Sequence, residues 1–305
     1  MKAVFVCTKP LQLMVAMILA PKFADAELLL VDSFAGVEKV GGSAVLKKYF
    51  STVSLFRTRQ RALRAVLTKP YDKVFVDSDV GVRLQLTLLF LKAFRPRIRI
   101  AVYEEGIGTY RADMIPSGLK RLLYGMLGAG GYFGGSVFVN EVHCFEPERY
   151  KSIIGDTSHT VRGIDEDFLD WIQAHEEDLF LLFPGVEDLP LGCSDTKVVF
   201  LTDWNVDTSV IQFFESRSDV FVKPHPHIQA ETLEDMKSRF PHSTWAPANV
   251  PAEILILYLL KQSGKVIVLH SNSSVAHYLR AMEAVKFIEI DSDWRGDLSR
   301  LWGEE

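Results

Sequence analysis

Short runs of apolar residues alternate along the chain with longer stretches in which apolar positions recur every three or four residues. The short runs at 3–7, 27–31, 53–56, 73–76, 97–102, 137–139 and 143–145 predict strands. The longer stretches at 11–19 and 37–49 predict helices. A second block repeats the pattern, with strands at 198–201, 220–222, 266–269 and 287–290 and helices at 231–239, 252–261 and 275–282. Unbroken Val, Ile, Leu and Phe runs mark strands covered on both faces, as in a parallel sheet flanked by helices. Between the blocks lies 184–196, rich in Pro, Gly and Asp, which is turn and linker chemistry. The predicted fold is therefore α/β, with two doubly wound domains at 1–190 and 191–305.

Ligands of such folds bind beyond the carboxyl ends of the strands, and four of those ends carry polar groups. The first runs from Val102 into Glu104, Glu105, Gly106 and Gly108. Adjacent carboxylates can act as a base and glycines admit a ligand close to the backbone; a plain strand-to-loop turn explains the same residues. The second is Asp203, after the strand at 198–201, which reads equally as the cap of a helix near Asp207. The third is Lys223-Pro224-His225-Pro226-His227. A histidine fixed between two prolines suits phosphate contact or proton donation. The alternatives are a metal pair with His227, for which no third ligand is recognisable, or a rigid turn. The fourth is His270-Ser271-Asn272-Ser273-Ser274, where three hydroxyls meet a helix start. One hydroxyl makes a cap; three lean toward an anion site. Glu253 follows Pro251 in the first turn of another helix, and is either a first-turn acid or an acceptor for ribose hydroxyls.

Composition narrows the class. The chain has 305 residues, 48% of them hydrophobic, and a net charge of −5, which is no signature of a nucleic-acid binder. Cys7, Cys144 and Cys193 are far apart and form no disulfide framework. No apolar stretch is long enough to span a bilayer, and the start of the chain lacks the order of a signal peptide. A cytoplasmic protein is expected. Arg57, Arg59, Arg61, Arg64 and Lys69, followed by Arg95, Arg97 and Arg99, read as solvated faces or as contacts with an anionic membrane leaflet.

In order, Glu104-Glu105-Gly106, His225-Pro226 and Ser273-Ser274 resemble the acid-acid-Gly, His-Pro and serine motifs of bacterial sialyltransferases. The set is most similar to glycosyltransferase family 52, the lipooligosaccharide α-2,3-sialyltransferases. Residues 5–12 are similar to that family's opening strand and turn, and Pro251-Ala252-Glu253 has a counterpart there. The resemblance implies a GT-B type fold, two Rossmann-like domains facing a cleft, with the acceptor on the N-terminal domain and the nucleotide sugar on the C-terminal one. It implies an inverting, metal-independent transfer of sialic acid from CMP-sialic acid, with no cofactor, to a glycan of the cell surface. Asp203 would be the base, in competition with Glu104 and Glu105, and His225 the partner of the leaving phosphate. Ser273 and Ser274 would hold that phosphate and Glu253 the ribose, with Lys223, Gly106 and Thr8 completing the nucleotide-sugar contacts. Peripheral attachment to the inner membrane face and a homodimer stay open. Two rivals stand beside this reading: another nucleotide sugar on the same scaffold, a UDP-hexose or CMP-Kdo, and a non-catalytic nucleotide-binding protein of glycan assembly.

Overall fold

In the computed structural model, residues 1–115, 124–126, 128–155, 157–203, 206–215, 217–226, 228–271, 273–290 and 294–302 are described. The apolar runs form two parallel sheets. The first contains β1 (Lys2–Cys7), β2 (Asp25–Val31), β3 (Thr52–Phe56), β4 (Lys73–Val76), β5 (Arg99–Tyr103), β6 (Glu141–Cys144) and β7 (Thr160–Gly163). Their order is β3-β2-β1-β4-β5-β6-β7. The second contains β8 (Thr196–Leu201), β9 (Val220–Lys223), β10 (Thr244–Trp245), β11 (Lys265–His270) and β12 (Val285–Glu289), in the order β10-β9-β8-β11-β12. Every pairing is parallel. Both are Rossmann-like orders, with the first strand central and the chain reversing direction beside it.

Strands buried on both faces explain the unbroken apolar runs. On one face of the first sheet Val4, Val6, Val74, Val76, Ile100 and Val102 pack with Ala62, Leu63 and Val66 of helix Arg59–Leu67 and Leu84, Leu88 and Leu91 of helix Val82–Phe94. On the other face of the sheet Phe5 stacks on Phe75 with centroids 4.3 Å apart, and Tyr103 meets both rings edge-on. Helix Pro10–Leu19 is buried along its whole length. In the second sheet Val198, Phe200, Val220, Val222, Ile267 and Leu269 meet Val210, Ile211 and Phe214 of helix Thr208–Phe214. Each such side chain contributes roughly 1.5–3 kcal/mol on leaving water.

Three expectations are corrected. The helix over 37–49 is two short pieces, Val37–Gly41 and a 3-10 turn at Ala44–Lys48, because Gly41-Gly42 ends the first and Ser43 caps the second. Residues 137–139 are turn rather than strand, and Val137 is exposed. The strand over 287–290 begins two residues earlier, because pairing of Val266 with Val285 sets its register. The glycine-rich segment 125–135, outside Leu127, is a close-packed turn: a Cβ on Gly130 would collide with the backbone of Gly135.

The chain divides into two compact units at Trp171 and Ile172 instead of at 190 and 191. Segment 176–187 belongs with the second unit for a physical reason. Glu176 pairs with Lys261, Phe180 packs edge-on against Tyr258, and the Pro184 carbonyl accepts from Asn249. Among the described residues no helix is long and apolar enough to cross a membrane.

Candidate functional site

The order of strands picks out the places to look. In the first sheet the order reverses between β1 and β4, and in the second between β8 and β11. The opposite, amino ends of the first sheet are closed on themselves. There the buried Glu141 is met by Lys73 at 2.6 Å, Arg162 at 2.8 Å and His143 at 3.0 Å. Glu27 is met by Lys69 at 2.6 Å, by the Tyr71 hydroxyl at 2.7 Å and by Lys2 at 2.8 Å.

At the first reversal, Thr8 follows β1 and Asp77 follows β4. The Thr8 hydroxyl lies 2.8 Å from Asp77 Oδ2 and 3.0 Å from Gln12 Oε1. Arg59 reaches the same Asp77 oxygen at 2.5 Å. Gln12 Nε2 donates to the Asp77 carbonyl at 2.7 Å. Asp77 Oδ1 is buried and has no hydrogen-bond partner among the described residues. Burial pushes the Asp77 carboxyl above the usual carboxylate range, against the pull of Arg59 and Thr8. Two residues on, Asp79 accepts from Gly134 N at 2.9 Å and Ser136 N at 2.7 Å, and so ties the glycine-rich turn to β4. Burial raises its carboxyl to about 6, although both N–H donors favour the charged form.

The acidic pair after β5 divides. Glu104 is fully buried; it accepts from the Tyr110 hydroxyl at 2.7 Å and from Phe145 N at 3.1 Å. Glu105 is half-buried, pairs with Lys9 at 3.0 Å and donates its N–H to Thr109 Oγ1 at 2.9 Å. Gly106, with φ 108° and ψ −153°, turns the chain between them and the 3-10 turn Ile107–Tyr110 in a conformation that side chains resist.

At the second reversal Thr202 follows β8, and its buried hydroxyl accepts from His225 N at 2.9 Å. The histidine after β9 is thus held by its neighbouring strand as well as by two prolines. Lys223, at the end of β9, is buried and donates to Pro224 O at 2.9 Å and Ala248 O at 3.3 Å. It joins the Pro224-His225 turn to the loop leading into helix Ala252–Gln262, where the buried Glu253 sits in the first turn. Burial lowers the Lys223 amine to about 7, against the attraction of Glu253, and raises the Glu253 carboxyl. On β11 the His270 Nδ1 accepts from Ser273 N at 3.3 Å, and burial holds this imidazole below its usual range.

The alternatives left open by the sequence resolve in part. Ser273 is the N-cap of helix Ser274–Leu279, its hydroxyl accepting from Val275 N at 3.3 Å. Asp203 is exposed, and the N-cap of helix Thr208–Phe214 is Asp207, accepting from Ser209 N at 2.9 Å. Thr202, Lys223 and His225 come together at adjoining strand ends, and Lys223 and Glu253 feel each other's charge. Thr8, Glu105 and Gly106 lie in the first unit, at the ends of β1 and β5. His227, Asn272 and Trp204 lie outside the described residues. Sequence reading passed over Asp77, Asp79 and Thr202, and it placed Arg59 in a basic face, whereas Arg59 pairs with the buried Asp77. The signal for the aspartates was present as Asp77-Ser78-Asp79 directly after a buried apolar run.

No protein-family profile and no curated protein sequence matches the chain. Among solved structures it is similar in fold to the UDP-GlcNAc 2-epimerase of Methanocaldococcus jannaschii, solved in complex with UDP-GlcNAc and UDP. The TM-score is 0.60 at 10% identity, over 100% of this chain and 93% of the epimerase. A UDP-glucose dehydrogenase from Pyrobaculum islandicum aligns over 94% of this chain and 93% of its own, at 11% identity and a TM-score of 0.27.

Proposed function

We propose that the protein is a GT-B type glycosyltransferase that moves sialic acid from CMP-sialic acid to a hydroxyl of a cell-surface glycan, with inversion and without a metal. The observation that carries this reading is the polar cluster at the reversal of the second sheet. There Thr202 fixes His225, and Lys223 ties the His225 turn to the loop before Glu253. A buried amine and a histidine whose backbone N–H is held, beside the carboxyl ends of parallel strands, suit the phosphate of a nucleotide. The order of Glu104-Glu105-Gly106, His225-Pro226 and Ser273-Ser274 supports sialic acid as the sugar.

In this reading the acceptor oxygen attacks the anomeric carbon and its proton passes to a carboxylate. The bond from that carbon to the phosphate oxygen breaks, and its electron pair leaves with CMP. Lys223 and His225 offset the charge that gathers on the phosphate. Asp203 is the base: it is exposed, and it adjoins the threonine that fixes His225. Glu104 is less suited, since its carboxylate already receives two donors in the core.

A second reading, a UDP-sugar enzyme, draws support from the UDP-GlcNAc held by the epimerase of similar fold. Thermal unfolding with CMP, UDP and GDP separates the two. Under the sialyl reading, CMP at about a hundred times its Kd raises the midpoint by on the order of 5 °C. Stabilisation by UDP alone removes that reading. Incubation with CMP-sialic acid and a galactose-terminated acceptor should give product by mass spectrometry. His225→Ala and Asp203→Ala should each cost about a hundredfold or more in rate; unchanged rates would take the catalytic assignment away.

A further inference from the structure

Helix Val82–Phe94 is apolar on both sides. Leu84, Leu88 and Leu91 face the core of the first unit. Leu86, Leu89, Phe90 and Phe94, at i, i+3, i+4 and i+8, form a second stripe on the opposite side. They are 41%, 46%, 58% and 71% exposed. A surface helix ordinarily puts polar residues there. The stripe continues beyond the helix. Leu86 and Leu89 line an open cavity of about 350 Å³ with Met126, Val137 and Phe138, and Met126 and Val137 are themselves exposed.

The two helices on this face, Arg59–Leu67 and Val82–Phe94, carry no acidic residue, although Arg59 pairs inward with Asp77. Residues 57–71 and 80–103 hold ten of the chain's 34 Lys and Arg and none of its 39 Asp and Glu. Helix Arg59–Leu67 packs beside helix Val82–Phe94 through Ala62, Leu63 and Val66, and it exposes Arg61 and Arg64. Arg83 and Arg97, at the two ends of the apolar helix, are exposed as well. A chain of net charge −5 has thus gathered cations around its largest run of exposed leucine and phenylalanine.

We propose that this face docks on an anionic lipid bilayer, with Leu86, Leu89, Phe90 and Phe94 entering the interface and the flanking arginines meeting lipid phosphates. Apolar insertion ringed by basic residues is the chemistry of peripheral membrane attachment. A helix of 13 residues is about 20 Å long, short of the roughly 30 Å hydrocarbon core, so it lies on the bilayer and does not cross it. A protein partner would call for a neutral or mixed rim; the exposed Arg61, Arg64, Arg83 and Arg97, on or beside helices without an acidic residue, fit a surface of uniform negative charge.

Cosedimentation of the full chain with vesicles tests the proposal. Binding is expected with vesicles of phosphatidylglycerol and phosphatidylcholine, weakening as salt is raised, and little with phosphatidylcholine alone. Each basic residue at the surface is worth about fivefold in partitioning. The pair Arg83→Glu and Arg97→Glu, and separately the pair Phe90→Ser and Phe94→Ser, should each lower partitioning by about tenfold or more. All four side chains are exposed, so the thermal midpoint should not move. Equal binding to neutral vesicles, or none to anionic ones, overturns the proposal. So does a stable dimer that the Phe90→Ser, Phe94→Ser pair dissociates, since a second copy would then be the occupant.

Discussion

Lys223 is the residue whose state depends most on its surroundings. Out of water its amine sits at about 7, so at pH 8 it is mostly neutral. A phosphate brought beside it would favour the charged form again. Binding of CMP near pH 8 should then take up a proton, seen by calorimetry as a dependence of the heat on the buffer's ionisation enthalpy. Lys223→Met should abolish that uptake. The same shift sets a sign for stability. A lysine depressed on folding favours the folded state above its unfolded value near 10.4, and that contribution is lost as pH falls through about 7. Wild-type stability should rise relative to Lys223→Met between pH 7 and pH 10, by on the order of 4 kcal/mol. At this scale the sequence shows which strand ends carry polar groups. It does not show which are reserved for structure. Between the cap and the phosphate readings of Ser273 the choice depends on its hydroxyl accepting from Val275 N, and Glu104, one of three candidate bases, accepts from Tyr110 in the core; neither contact can be seen in the chain alone. Thr202 is hidden because nothing in a single threonine announces that its hydroxyl will meet the N–H of a residue on another strand.

At the scale of elements, Asp79 joins β4 to the glycine-rich turn through two backbone N–H groups. Its carboxyl, raised to about 6 by burial, is protonated in the folded chain where the unfolded chain has already lost the proton. Folding is therefore favoured below about pH 4, and the contribution is lost as pH rises through about 6. Relative to Asp79→Asn, wild-type stability should fall by on the order of 3 kcal/mol between pH 4 and pH 7, measured by urea unfolding. The elements most legible in the sequence are those buried on both faces, such as β1, β4, β8 and β11, where an unbroken apolar run admits few other readings. Of the four edge strands β3 and β12 were legible and β7 and β10 were not. β7 is mostly exposed and carries Arg162, and β10 is two residues long, so neither leaves an apolar run to find. The stretch 37–49 has helical spacing, but Gly41-Gly42 breaks it.

For the molecule as a whole, the repeat of strand-helix alternation in two blocks made two parallel sheets legible. The boundary was not, because 184–196 has linker chemistry while the packing of Phe180 against Tyr258 cannot be seen in composition. Among the described strands, each sheet is drawn from one continuous part of the chain. Every strand of the first ends by Gly163, and none of the second begins before Thr196. This bears on synthesis. Parallel sheets assemble slowly, since each pairing must wait for a crossover. Here nothing in the first sheet waits for the second half of the chain. The first half should reach a protease-resistant state while the ribosome is still making the second, so pulse-labelled nascent chains stalled after residue 240 should already yield a resistant fragment ending near Trp171.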